Sequence, residues 1–313
     1  MIFQPAYAKL NLALSVVGRR PDGRHDLRSV VVRLDWHDLV GVRLMPADGH
    51  ADIRLDVSGP AAAEVPAADN LVLRAARAVL HRHPGSAVRL CLEKRLPVAA
   101  GLGGGSADAA AVLLLLGGPS VIGWDPDWLR LADALGSDVP ACLAGGGLLV
   151  GGAGERLEPL SHPPLHLAVA VAGRSGTAST FAALTPAEWR GSDRPEALAR
   201  LLANGRPAPP ELCGSDLEAA ACRAHPELAA EIARLRAGMP GTRWHLTGSG
   251  GAVFALAATP IEAESLAAAA RDLGMPARAC RTVDGRTPRP PFEVAPADDG
   301  GRGRPGRGAG ATR

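Results

Sequence analysis

The sequence predicts an α+β protein of two domains. Three observations carry that expectation. The chain has 313 residues, more than one hydrophobic core usually organises, so two units of roughly 150 residues are expected. Its early part alternates apolar and polar residues at the period of half-buried strands, which describes a largely antiparallel sheet. Its late part mixes apolar strands with helical patterns in a small αβ unit. A glycine-dense band, 145-GGGLLVGGAG-154, marks the boundary. The expected division is an N-terminal domain over 1–155, a C-terminal domain over 156–285 and a tail over 286–313.

The elements follow in order. In 8-AKLNLALSVV-17, Leu10, Leu12, Leu14 and Val16 share one face and Lys9, Asn11 and Ser15 the other, the pattern of a half-buried strand. Lys9 and Asn11 therefore stand side by side, about 7 Å apart at ~3.3 Å per residue. Pro-Asp-Gly within 18-GRRPDGRH-25 turns the chain into a second strand near 27–34, with His25 close to its start. Alternation at Val40, Val42 and Leu44, and again at Ile53, Leu55 and Val57, extends the sheet. A helix over about 69–82 and a strand at 88-VRLCLEK-94 lead into 97-PVAAGLGGGSADAAAVLLLL-116. A helix at 127-DWLRLADAL-135 ends at Gly136, and 137-SDVP-140 reads as a loop or helix start. Beyond the boundary come a strand at 165-LHLAVAV-171 and helices near 196–203, 216–222 and 226–237. A second glycine cluster, 247-TGSGG-251, joins apolar strands around Trp244 and Val253, before a helix at 261–273 and a strand at 277–283. The Pro-, Gly- and Arg-rich tail lacks periodicity and is expected to be disordered.

Composition narrows the functional classes. A net charge of +2, with basic residues scattered outside the tail, gives no mandate for nucleic acid and points to a small-molecule partner. No apolar run approaches the ~20 residues of a membrane span, and the opening MIFQPAYAKLNLAL has neither the charged start nor the apolar block of a secretory signal. A soluble, cytoplasmic protein without a membrane partner is expected. The five cysteines, Cys91, Cys142, Cys213, Cys222 and Cys280, lie far apart without a CxxC, so they are expected to be buried and reduced. Among 34 basic residues only Lys9 and Lys94 are lysine. An ammonium acts on a phosphate or hydroxyl as a compact point charge, which the planar guanidinium does not.

The glycine stretch belongs to neither of two common phosphate motifs. No lysine follows Gly105, so a Walker A loop fails, and the third glycine of a dinucleotide fingerprint would fall on Ser106. What remains is the physics those motifs share. Glycines at 101, 103, 104 and 105 let successive N–H groups converge, and Ser106 begins a helix whose positive end favours an anion such as a polyphosphate.

Together, 5-PAYAKLNLALSVVGRRPDGRH-25, 96-LPVAAGLGGGSADAAA-111 and 246-LTGSGGAVFA-255 resemble the three signature motifs of the GHMP kinases (galactose, homoserine, mevalonate and phosphomevalonate kinases). The similarity runs over about 5–285. With GSDVP, the first two stretches are most similar to members that phosphorylate a cytidine-diphosphate-linked methylerythritol in the non-mevalonate isoprenoid pathway. The resemblance implies an N-terminal domain like ribosomal protein S5 and a ferredoxin-like C-terminal domain, with ATP, Mg²⁺ and acceptor in the cleft between. It implies Lys9 and Asp138 as the catalytic pair, Asp138 taking the hydroxyl proton and Lys9 stabilising the alkoxide and the transferring group. Gly101, Gly103, Gly104, Gly105 and Ser106 would hold the ATP phosphates, with Ser106 touching Mg²⁺, and Asn70, Lys94 and Pro97 would line the nucleotide side. The acceptor side would use Asn11, His25, Thr177, Phe181, Gly248, Ser249 and Gly250, with His25 reading the cytosine edge and Phe181 stacking on the base. One departure stands out: Arg24 occupies a position where the family carries tyrosine, expected to cover the other face of the cytosine. A monomer or homodimer is expected. Two other readings stay open here, a kinase of another polyol or isoprenoid precursor and a catalytically silent nucleotide sensor.

Overall fold

The computed structural model describes residues 1–47, 52–68, 70–121, 125–189, 191–283 and 292–293. Strands β1 (Ile2–Arg19) and β2 (His25–Pro46) form one long antiparallel hairpin. The sequence pattern reads shorter strands in their place. The reason lies in the register, which shifts between Tyr7 and Lys9, Asn11 and Ala13, and Val16 and Gly18, and each irregularity interrupts the period-two alternation. β3 (Ile53–Ser58), α1 (Leu71–Leu80) and β4 (Ser86–Glu93) follow, β3 and β4 pairing in parallel across the helix. Next come α2 (Gly104–Gly117), α3 (Pro126–Leu135) and α4 (Val139–Ala144). The glycine-dense band at the expected boundary folds as β5 (Gly147–Gly152) on β2, and β6 (Arg156–Leu160) extends the same sheet.

The second sheet is built from β7 (His166–Val171) and the strands that come after four helices, α5 (Thr177–Ala182), α6 (Arg194–Ala203), α7 (Glu218–Ala224) and α8 (Pro226–Gly238). Between α6 and α7 the two-residue β8 (Gly214–Ser215) pairs with Ala13 and Leu14 of the first sheet. β9 (His245–Leu246), β10 (Ala252–Ala257), α9 (Pro260–Asp272) and β11 (Ala277–Arg281) complete an antiparallel sheet of order β11-β7-β10-β9. In chain order that is 4-1-3-2 with helices in the connections, a ferredoxin-like unit. Of the tail, only Phe292–Glu293 is described, as β12 beside Ile2 and Phe3; the expectation of disorder for the rest lies outside the described residues.

Three buried clusters hold the molecule. Val72, Val79, Leu90, Leu92, Val112, Leu113 and Trp128 pack α1, α2 and α3 on the first sheet. Leu228, Ile232, Trp244, Val253 and Ala267 form the core of the second unit. Between them, Leu10, Leu12, Val30 and Val32 of the hairpin meet Leu167, Val169, Leu198, Leu202 and Phe254, so apolar burial joins the two sheets. Cys142, Cys213 and Cys280 are buried within this framework, and burial pushes each thiol up to about 12. All five cysteines are free. Among the described residues no helix is long and apolar enough to cross a membrane.

The two glycine clusters meet backbone to backbone. A Cβ on Gly101 would lie 2.2 Å from the Gly250 carbonyl oxygen, and one on Gly251 would lie 2.6 Å from Ala100 Cα. Both glycines also adopt positive φ, +77° and +100°. Beside them Ala99 takes φ 58°, and its carbonyl accepts from Ser175 N at 3.1 Å. A substitution here strains the chain and parts the loops. Gly251→Ala is expected to lower unfolding stability by about 1–3 kcal/mol, measured by urea titration with an activity-independent probe such as tryptophan fluorescence.

Candidate active site

The register of β1 places the first charged group. Lys9 N donates to Leu102 O at 2.9 Å, which ties the strand to the glycine loop. A Cβ on Gly103 would sit 2.6 Å from Lys9 Cγ, so the loop lies directly over the lysine stem. Lys9 Nζ donates to Asn11 Oδ1 at 2.8 Å and reaches Asp138 Oδ2 at 3.2 Å. Asn11 is fixed in turn: its Nδ2 donates to Ser29 Oγ at 2.7 Å and its backbone N–H to Thr247 Oγ1 at 2.9 Å.

Asp138 stands at the N-cap position of α4, yet its side chain makes no capping hydrogen bond. Its carboxylate is half exposed and turned to Lys9, whose side chain is only 11% exposed. The carboxylate therefore leaves its helix uncapped and stands in direct ion-pair contact with the ammonium.

The glycine loop then closes over one cavity of about 390 Å³. Lys9, Asn70, Lys94, Pro97, Gly101, Gly103, Gly104, Gly105, Ser106, Asp138, Thr177 and Ser249 line it, along with the apolar Val65, Leu71, Val72 and Leu92. α2 starts at Gly104 behind the left-handed Gly103, so its first N–H groups, unpaired within the helix, are available to an anion. The apolar wall beside them suits a flat heterocycle.

Not every expected residue lies in that lining. Asn70 reaches the cavity but caps α1, accepting from Leu73 N at 3.0 Å. Gly250 serves the inter-loop contact, and a Cβ on Gly248 would sit 3.0 Å from Asn11 Oδ1. Thr177 Oγ1 lies 3.1 Å from Ser249 Oγ. His25 and Phe181 stand apart from the cavity as a stacked pair with ring centroids 4.9 Å apart. Burial, with Arg19 nearby, holds the His25 imidazole below its ordinary value. Arg24 is engaged with Asp22, Nε to Oδ2 at 3.2 Å.

Lys94 differs from Lys9. Its ammonium is buried and held by Asp38 Oδ2 at 2.5 Å and Asp108 Oδ2 at 2.7 Å, just beneath Gly104. Asp38 also accepts from the N–H groups of Arg95 and Leu96 at 2.6 and 2.7 Å. Sequence reasoning missed both carboxylates. Their signal was a lone acid inside the alanine run SADAAA and another in DWHDLV. Burial would lower the lysine, but Asp108 and Asp38 hold it above its ordinary value. Burial pushes the Asp108 carboxyl up to about 8, against the opposing pull of Lys94, and its Oδ1 is buried without a partner.

Comparisons with known proteins bear on the family and the fold. Residues 70–146, which hold the glycine loop and Asp138, match the model of the GHMP kinases N-terminal domain. The fold is that of this class of small-molecule kinases. A homoserine kinase from Cytophaga hutchinsonii shares the fold at 17% identity and a TM-score of 0.60, covering 92% of this chain and 97% of that one. The crystal structure of a 4-(cytidine 5'-diphospho)-2C-methyl-D-erythritol kinase matches at 36% identity with a TM-score of 0.73, over 90% of this chain and all of that one. The 4-diphosphocytidyl-2-C-methyl-D-erythritol kinase of Xanthobacter autotrophicus is 44% identical over 274 residues, 84% of this chain and 92% of its own length. The chain belongs to the 4-diphosphocytidyl-2-C-methyl-D-erythritol kinase family.

Two outcomes test the buried triad. Lys94→Met leaves Asp38 and Asp108 without their shared partner and is expected to cost about 3–5 kcal/mol of stability, read from the thermal midpoint. For Asp108 the folded state holds a proton that the unfolded chain releases near pH 4, so its contribution to stability is full below that pH and is lost as pH rises toward 8. Urea titrations from pH 5 to 9 are expected to show wild-type stability falling relative to Asp108→Asn.

Proposed function

We propose that the protein transfers the γ-phosphoryl group of ATP to the 2-hydroxyl of 4-diphosphocytidyl-2-C-methyl-D-erythritol. The observation that carries this reading is the Lys9–Asp138 pair, 3.2 Å apart, on the wall of a cavity that also holds a glycine loop and a helix N-terminus. Family membership supplies the acceptor.

Phosphoryl transfer asks little covalent chemistry of a protein; it asks for positioning and for cations where charge gathers. The loop N–H groups and the start of α2 hold the phosphates, with no side chain between them and the backbone. Asp138 accepts the proton of the attacking hydroxyl as the oxygen approaches phosphorus. Lys9 lies between carboxylate and phosphoryl group, lowering the energy of the alkoxide that forms and of the charge on the equatorial oxygens. Asn11 keeps the ammonium in place, itself held by Ser29 and Thr247. Mg²⁺ bound with the nucleotide neutralises phosphate charge. Among the described residues no group of three His, Cys, Asp or Glu side chains gathers to hold a metal, which fits a cation that binds through phosphates and few protein oxygens. The Ser106 hydroxyl, on the cavity wall, is the group that would hold it.

On the acceptor side, burial and the nearby Arg19 lower His25 and so favour its neutral form. A neutral imidazole offers one donor and one acceptor nitrogen, as the edge of cytosine requires. Phe181 provides the apolar face for stacking.

A coupled ADP-release assay tests the reading, with the cytidine-linked substrate set against mevalonate, homoserine and galactose. Turnover on the cytidine substrate is expected, reduced about 10²–10⁴-fold by Asp138→Ala with the thermal midpoint retained. ADP release on another acceptor alone, or an active Asp138→Ala, sinks it.

A further inference from the structure

Three aromatic rings converge beside β1, and the mechanism above uses two. His25 and Phe181 stack with planes 25° apart, while Trp189 meets His25 edge-on, centroids 5.9 Å apart at 76°. Their setting is apolar: Leu14, Val16, Leu217, Leu27 and Leu184. Phe181 follows Thr177 of the cavity wall by four residues on α5, so the rings stand about one helical turn, ~5.4 Å, beyond it. A ligand reaching out of the cavity along α5 meets them next.

Trp189 has two properties that ordinary packing leaves unexplained. Its indole N–H is buried and has no hydrogen-bond partner, although a buried indole N–H usually finds one. The backbone leading into and out of it is also pinned. The preceding turn is closed by a Thr185–Glu188 capping box, and Glu188 is gripped by Arg223 through hydrogen bonds of 2.9 and 2.6 Å. Arg223 also donates to Ala183 O at 2.8 Å, and Gly191 N to Val16 O at 3.2 Å. An aromatic ring with an unsatisfied donor on a pinned backbone suits a flat heterocycle bearing acceptor atoms.

We propose that Trp189 is a specificity-determining residue of the acceptor site, packing its indole against the pyrimidine base and donating its N–H to an acceptor on the same ligand. The proposal rests on the acceptor assigned above.

The test compares wild type, Trp189→Phe and Trp189→Leu by steady-state kinetics, and by calorimetric titration with cytidine 5'-monophosphate without ATP. Trp189→Leu is expected to raise the KM of the cytidine substrate about tenfold or more, with the KM for ATP and the thermal midpoint unchanged. Trp189→Phe keeps the ring without the N–H and falls between; it also decides the matter if Trp189→Leu does not fold. Cytidine affinity follows the same order. Unchanged acceptor KM and cytidine affinity overturn the proposal, and so does an equal rise in both KM values, the mark of a structural role. Wild type that binds cytidine through Trp189 yet does not turn over the cytidine substrate leaves this proposal standing and removes the acceptor assignment instead.

Discussion

The site depends on a contact between two bare backbones. Gly101 and Gly251 bring the phosphate loop of the first unit against the TGSGG loop of the second, where no side chain fits. That closeness has a chemical purpose. N–H groups act on a polyphosphate only if they lie in the cavity wall, and a loop thin enough to form the wall must lean on another of the same kind. Ser175 holds the arrangement from outside, accepting the strain of Ala99 into a hydrogen-bonded frame. Its hydroxyl then binds the Ser249 carbonyl at 2.9 Å, so one residue anchors both loops.

The two lysines show how burial divides labour between like residues. Lys94 is enclosed by two carboxylates beneath the loop, where its charge is spent on structure. Lys9 has one half-exposed carboxylate and one amide, so its charge remains available to an incoming anion. Removing either partner of a buried ion pair is costly because the survivor cannot reach water. The triad therefore fixes the entry to α2, and the looser pair is the one proposed to react.

Much of this was legible in the sequence. Alternation alone set Lys9 beside Asn11, and the glycine run alone implied an anion-binding turn before a helix. The division of β1 and β2 into shorter strands was a misreading with a physical source, since three register shifts erase period-two alternation while the hydrogen-bonded ladder continues. The band at 145–154 looked like a joint because glycine usually marks one. Here the glycines make room: a Cβ on Gly147 would strike Leu160 O at 2.5 Å, and one on Gly145 would strike the Arg33 guanidinium at 2.5 Å. Long-range partners left weaker traces. Nothing local to Lys94 announces Asp38, 56 residues away, and the ring cluster joins residues from the first turn to a segment beyond α5.

β1 is long, apolar on one face and paired along one side by β2, its immediate successor in the chain. The other side is completed by fragments from elsewhere: Leu102 O receives the N–H of Lys9, Thr247 that of Asn11, and β8 pairs with Ala13 and Leu14. A ribosome adding 5–20 residues per second needs about 10–40 s to pass from the first hairpin to Thr247. Through that interval the strand that carries the chemistry has an unpaired edge, the surface on which chains most readily join one another. The same sharing of one strand between distant segments thus delays closure of its edge until most of the chain has been made.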